Sequence, residues 1–375
     1  MTLERTIQKA IEQNLFEGKI IVIYGARQVG KTTLLKTIEK KYSQKKSFFI
    51  NCDDPDVREK LRNTNSTDLK NLFQGYEMIF IDEAQRVKDI GLTLKIAIDA
   101  MPEKQFIVTG SSSFDLANKI NEPLTGRKYE FSLYPFSIEE ISVNLDPLEK
   151  DRNLKNWLIY GMYPDVVKKP NKSLFVLDNL VRGSLYKDAL EHQNLKHTEI
   201  LDKLLQALAF QIGQEVSYNE LATLLGVNKA TVERYVKILE QSFIIYQLKP
   251  FSRNLRNELK KMRKIYFYDI GIRNALIKAY GPIDLRNDIG AVWENFILSE
   301  RIKKNDNHLR YVKRYFWRTQ QKQEIDYLEE ENNKICAFEF KWKKEKFKTP
   351  KVFSETYPEA KIQLINHKNY KKFVM

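Results

Sequence analysis

KIIVIYGARQVGKTTLLKTI, residues 19–38, runs from a β-branched stretch through a glycine loop into apolar residues at helical spacing. The loop matches G-x-x-x-x-G-K-[ST] at Gly25, Gly30, Lys31 and Thr32, and it stands between a strand and a helix, the context this spacing requires. Glycines let the backbone curl so that its N–H groups, with the helix N-terminus behind them, surround phosphate oxygens. Lys31 then reaches the β and γ phosphates of ATP, and the Thr32 hydroxyl coordinates magnesium. Arg27 and Gln28, inside the loop, are further candidates for nucleotide contact.

YEMIFIDEAQ, residues 76–85, adds an apolar strand ending in two acids. Asp82 suits a water-mediated hold on magnesium, and Glu83 can orient and polarise an attacking water. Acids at strand ends are otherwise ordinary solvent contacts. KSFFINCDD, residues 46–54, lies between these two segments, and QFIVTGSSS, residues 105–113, follows them. Thr109 or Ser111, at the end of that strand, is a candidate partner for the γ-phosphate or the attacking water. Strands alternating with helices through about residue 135 predict an α/β fold, a parallel sheet with helices on both faces and ligand at the carboxyl ends. In LTGRKYEFSLYPFS, residues 124–137, Arg127 follows Gly126 in a turn. It is read either as a finger to a γ-phosphate, in its own subunit or a neighbour's, or as a surface arginine before a strand. A finger in trans implies a ring or dimer of this chain.

The chain of 375 residues exceeds what one core usually organises, so two or three domains are expected. A net charge of +14 favours a polyanionic partner, with solubility as the competing reason for so many lysines. Cys52 and Cys336 sit in apolar strand-like runs at no metal or disulfide spacing, which reads as two buried thiols in a reducing compartment. The opening MTLERTIQKAIEQNL mixes charge and apolar residues at helical spacing, unlike a signal peptide, and no uncharged stretch has membrane-spanning length. A cytoplasmic protein without membrane contact is expected.

Residues 136–195 read as helical with a Gly and Pro break at YGMYPDVVKKP, and carry no catalytic cluster. Residues 215–248 have the form of a helix-turn-helix, with Ser217 or Asn219 as N-cap, Gly226 in the turn and Asn228 opening the second helix. The strand-like SFIIYQLKPF follows, giving the order of a winged helix. Arg253, Arg256, Lys260, Lys261, Arg263 and Lys264 then face one acid, Glu258. As a wing tip they would lie along a DNA backbone; a solvated face or a protein-docking winged helix are the alternatives. The second helix offers Lys229, Arg234 and Lys237 against Glu233.

From about Gly281, DIGAVWENFILSERI predicts an amphipathic helix and residues 314–344 read strand, strand, turn, strand. Alternation along ICAFEFKWKK, residues 335–344, sets Glu339 and Lys341 on one face and Phe338, Phe340 and Trp342 on the other. Hairpin pairing brings Asp326 near Glu339, so the two carboxylates with a main-chain carbonyl suit magnesium, Glu294 completes the set, and Lys341 acts beside it without being a ligand. An edge strand with a wet polar face, or an inactive copy of a nuclease fold, explains the same residues.

GARQVGKTT, MIFIDEAQ, VTGSSS, LTGRKYEFSLYPFS, YGMYPDVV, IYFYDIGIRNAL and EIDYL with FEFKWK, in this order, resemble the bacterial and archaeal AAA-type ATPases that carry a C-terminal domain of unknown function. The resemblance implies an AAA-type ATPase domain over 1–140, a helical region with a winged helix over 141–280, and an α+β domain similar to PD-(D/E)xK nucleases over 281–375. It implies nucleotide contact by Gly25, Gly30, Lys31, Thr32 and Thr33, an acidic pair in Asp82 and Glu83, and a nuclease-like set in Glu294, Asp326, Glu339 and Lys341. Ile325 stands where that nuclease motif carries proline. The expected activity is magnesium-dependent ATP hydrolysis coupled to DNA contact; a nucleotide-gated switch that binds a protein partner, or an ATP-gated nuclease, are the alternatives.

Overall fold

The structure, a computed structural model, describes residues 3–62, 64–110, 120, 123–143, 145–183, 198–251 and 263–375. Ser111, Arg253, Arg256, Glu258, Lys260 and Lys261 lie outside these residues. The chain divides into two compact units, Met1–Tyr134 with Lys187–Asn194 and Gln241–Phe243, and Pro135–Tyr186 with Leu195–Glu240 and Ile244–Met375.

The first unit is built on five strands, β1 (Ile20–Tyr24), β2 (Ser47–Asn51), β3 (Met78–Asp82), β4 (Gln105–Gly110) and β5 (Lys128–Ser132). They lie in the order β2-β3-β4-β1-β5, and every pairing is parallel, as the strand and helix alternation predicts. Ile20, Ile21, Val22 and Ile23 are fully buried, which is why β1 reads as an unbroken β-branched run instead of an alternating one. Parallel register brings Tyr24 level with Gly110 and Asn51 level with Asp82, so the strand ends that carry chemistry share one edge.

The second unit begins with helices, among them Pro147–Tyr160, which opens on a reciprocal cap between Asp146 and Glu149. Helix Tyr218–Leu225 is capped by Ser217, of the two candidates, and ends on Gly226 in the left-handed conformation; helix Lys229–Gln241 follows. β6 (Ile245–Pro250) then pairs antiparallel with β7 (Lys264–Phe267). With β8 (Lys313–Arg318), β9 (Glu324–Glu331), β10 (Lys334–Phe340) and β11 (Lys361–Ile365) these make a six-stranded sheet in the order β11-β10-β9-β8-β6-β7. The expected boundary at residue 280 therefore falls inside the span of one continuous sheet, joined where Lys249 and Pro250 of β6 run parallel to Tyr315 and Phe316 of β8.

Asn332 and Asn333 both take positive φ and turn β9 into β10, as the Glu-Asn-Asn sequence predicts. β10 lies between β9 and β11 and Glu339 is buried, so the wet edge strand is excluded. Helix Ile289–Asn307 corrects a second expectation. It is buried on most sides, its polar residues Ser299, Glu300, Arg301, Lys303 and Asn305 included. Those groups stay inside because each has partners: Arg301 holds Glu329 through two nitrogens at 2.8 and 2.7 Å, and Lys303 holds Glu300 at 2.7 Å. Both cysteines are free, Cys52 buried and Cys336 half-buried. Among the described residues no helix is long and apolar enough to cross a membrane.

Candidate functional site

The phosphate loop leaves β1 at the carboxyl edge of the first sheet. A Cβ on Gly25 would sit 2.3 Å from the Leu133 carbonyl oxygen, so that position admits only glycine. Gly30 takes φ +99° and opens helix Lys31–Lys41, a turn that a side chain would strain. Lys31 is buried, and its ammonium donates to the carbonyls of Gly25 at 2.9 Å and Ala26 at 3.0 Å. Arg27 is half-buried on the loop, while Gln28, Thr32 and Thr33 are exposed.

Around Asp82 the strand ends converge. The Thr32 hydroxyl donates to Asp82 Oδ2 at 2.6 Å, and Thr109, ending β4, donates to Oδ1. Thr109 Oγ1 in turn accepts from the Glu83 backbone N–H at 3.1 Å. Glu83 takes φ +54°, a conformation that turns the chain out of β3 immediately after Asp82. Its carboxylate accepts a hydrogen bond from Gln85 Nε2, a restraint that sequence reasoning missed. Thr32, Asp82, Thr109 and Glu83 are thus linked by hydrogen bonds, and Lys31 precedes Thr32 at the start of the helix.

Arg127 is not part of it. β5 pairs with β1 so that Lys128 stands level with Ile20, the first residue of β1, which puts Arg127 at the amino ends of the strands. Five residues of extended chain, roughly 16 Å, separate that edge from the phosphate loop. The guanidinium instead meets Asp99 at 2.6 Å. A finger within its own subunit is excluded by this geometry.

The second unit gathers the other candidates. Asp326 Oδ2 accepts the Phe340 N–H at 2.8 Å, and Lys341 Nζ lies 2.7 Å from Glu339 and 3.7 Å from Asp326. Burial first, and the Glu339 charge second, push the Asp326 carboxyl above its ordinary range, and burial raises Glu339 in spite of the opposing pull of Lys341. Glu339 Oε2 is buried without a hydrogen-bond partner. Glu294 Oε1 accepts from Tyr266 at 2.7 Å and from Lys264 at 3.2 Å. Burial raises it to about 7 in spite of the lysine. Among the described residues no three carboxylate, histidine or cysteine side chains are arranged as a metal cage.

Of the expected wing-tip cations, Lys264 is buried and Arg263 half-buried. Lys264 is 1% exposed and paired with Glu294 and Glu324. Arg263 stacks on Tyr218, 4.1 Å from the ring centre, and reaches Gln247. The signal that separates them from a solvated run was available. Lys264 heads KIYF, a strand whose other residues are apolar, and a lysine at such a position must find acids inside.

The family described as an AAA domain matches residues 17–142, and two families described as domains of unknown function, DUF8612 and DUF4143, match 151–282 and 289–373. The chain thus carries an AAA domain followed by DUF8612 and DUF4143 domains. Its AAA domain holds the phosphate loop and the Asp82 network, and its DUF4143 domain holds Glu294, Asp326, Glu339 and Lys341. Strands β6 and β7, with Lys264, belong to the DUF8612 match but complete the sheet of the DUF4143 domain. The uncharacterized protein Rv2008c of Mycobacterium tuberculosis is 28% identical over 349 residues, which cover 91% of this chain and 74% of that protein. The uncharacterized protein MJ1544 of Methanocaldococcus jannaschii is 24% identical over 351 residues, 86% of this chain and 75% of its own. AMPPCP-bound DnaA from Aquifex aeolicus superposes with a TM-score of 0.29 at 14% identity, over 62% of this chain and 85% of that one, an overlap too loose to carry an argument.

Proposed function

We propose that the AAA domain binds ATP with magnesium and hydrolyses it, and that turnover is coupled to DNA contact by the second unit. One observation carries the first half: Thr32, Asp82, Thr109 and Glu83 are linked by hydrogen bonds at the carboxyl edge of a parallel sheet, beside a phosphate loop. In this reading Lys31 exchanges the carbonyls of Gly25 and Ala26 for the β and γ phosphates. The Thr32 hydroxyl and the Asp82 carboxylate are hard oxygen donors that fit magnesium, which when bound offsets the phosphate charge. Loop N–H groups from Gly25 to Thr33, with Arg27 and Gln28, cradle the phosphates. Glu83 holds and polarises the attacking water, Gln85 restrains its carboxylate, and Thr109 fixes its backbone.

Charge supports the second half. The chain carries +14, and Lys229, Arg234 and Lys237 are exposed on helix Lys229–Gln241. Lys343, Lys344, Lys346 and Lys348, beyond β10, are exposed too. Two helices about Gly226 followed by the antiparallel β6 and β7 have the order of a winged helix, which we read as the DNA-facing element.

ATP turnover measured with and without duplex DNA at low salt, in the native chain and in Glu83→Gln, tests both halves. DNA is expected to change the native rate, and Glu83→Gln to cut turnover about 100-fold or more while nucleotide still binds. Unchanged turnover in Glu83→Gln removes the hydrolytic assignment. Normal turnover that ignores DNA, together with no DNA binding, leaves the switch that engages a protein partner.

A further inference from the structure

KKEKFKTPK, residues 343–351, leaves the end of β10 and sets Lys343, Lys344, Lys346, Lys348 and Lys351 against one acid, Glu345. Lysines kept for solubility alone need no fixed backbone, yet this one is held at three points. His367 Nδ1 lies 2.6 Å from the Trp342 carbonyl oxygen, and Asn366 Nδ2 donates to the Lys344 carbonyl at 3.1 Å. Phe347 packs on the core formed by Trp317, Ile325, Leu328 and Phe353. With that ring turned inward, Lys346 and Lys348 on either side of it are exposed, as are Lys343 and Lys344. Glu345 is in contact with Lys368, so a cation from outside the run already balances its one acid. Lys343 lies 3.4 Å from Asp284, whereas among the described residues no acid pairs with Lys344, Lys346 or Lys348.

We propose that this pinned loop grips the phosphate backbone of duplex DNA without reading base sequence, and that Lys344, Lys346 and Lys348 supply more of the ionic affinity than helix Lys229–Gln241 does. The inference rests on the DNA contact proposed above and says where the charge that drives it sits. On that helix Lys229 is paired with Glu233 at 3.1 Å, which leaves it a smaller excess of positive charge than the loop carries. Each ammonium that meets a phosphate releases a condensed counter-ion, so affinity gained this way falls steeply with salt. A backbone already fixed by the fold loses little freedom when the phosphates arrive. Lysine offers a compact charge in place of the planar fork of arginine, which suits phosphates better than base edges. The aromatic rings of the segment are committed to protein, Trp342 against Trp293 at 5.0 Å and His367 at 5.2 Å and Phe347 against the core, so neither is placed as a stacking platform for bases.

The probe is fluorescent duplex DNA in two unrelated sequences, titrated by anisotropy from about 50 to 200 mM salt. Three proteins are compared: the native chain, the loop variant Lys344→Gln with Lys346→Gln and Lys348→Gln, and a control variant that removes three exposed lysines elsewhere in the same unit, Lys278→Gln with Lys322→Gln and Lys334→Gln. Circular dichroism checks that all three are folded. The loop variant is expected to bind both duplexes about tenfold or more weakly at low salt, and to flatten the slope of log affinity against log salt by about 2 to 3. The control variant, and Lys229→Gln with Lys237→Gln, are expected to flatten it by less. A loop variant with the native slope, or a control variant that flattens it equally, overturns the proposal while leaving DNA contact standing. A native preference for one duplex that the loop variant loses overturns it too. Native protein that binds neither duplex at low salt removes the DNA contact itself, and the proposal with it.

Discussion

The phosphate loop and the C-terminal cluster both set acids beside a lysine near strand ends, and they use the lysine in opposite ways. At the loop, Lys31 donates to the main-chain carbonyls of Gly25 and Ala26 and Asp82 accepts from two threonine hydroxyls, neutral groups that phosphate or metal can replace. In the cluster, Lys264 and Lys341 are held by Glu294, Glu324 and Glu339, so each ammonium already has an ionic partner. Buried charge must be compensated, and a cluster that compensates itself has little left to offer a ligand. The comparison shows that readiness for a ligand depends on what each charge already holds, more than on which residues are present.

The largest expected effect tests the loop. Lys31→Ala should lower turnover by about 100- to 1000-fold and weaken nucleotide binding while leaving the fold intact, measured by steady-state rates and nucleotide titration. Native affinity and rate in that variant would erase the contrast between the two lysines.

Next comes a charge pair that serves structure alone. Arg301→Met removes the two-pronged partner of buried Glu329, leaving it Asn305, Tyr327 and a longer contact to Arg310, and should destabilise the second unit by about 2–3 kcal/mol. Urea unfolding followed by tryptophan fluorescence reads this directly, because Trp157, Trp293, Trp317 and Trp342 all lie in that unit. A loss near zero would mean that pairing is not what keeps these charges inside.

A pH series sharpens the point at Glu294. Its folded pKa is raised from 4.5 to about 7, so between those values the folded chain holds a proton that the unfolded chain has released. Stability conferred by this group is complete below the unfolded value and is lost as pH climbs through the folded one, roughly 3 kcal/mol in total. Glu294→Gln should flatten that decline, and an unchanged slope in urea midpoints against pH would assign it to other groups.

The smallest effect is expected at Arg127, whose pair with Asp99 is largely solvent-exposed. Arg127→Ala should leave the urea midpoint of the first unit unchanged. At dilute protein, turnover should also hold. A tenfold loss that appears only at high protein concentration would place this arginine against a neighbouring copy's nucleotide.

What the sequence by itself determined is local. Glycine spacing, a β-branched run and helical periodicity act within about a dozen residues, so the loop, its helix, the acid pair after β3 and the turn at Asn332 and Asn333 were all legible. The parallel sheet followed from the alternation of those segments. Only the tertiary structure decided the state of each charge. Lys264 meets Glu294 thirty residues further along the chain, and nothing in the run around it names that partner. The pairing of β5 with the start of β1 set Arg127 apart from its own phosphate loop, and β6 joined β8 across an expected domain boundary. Those outcomes depend on strand order and burial. Coulomb and desolvation terms act between residues that only the fold brings together, so no short stretch of sequence records them.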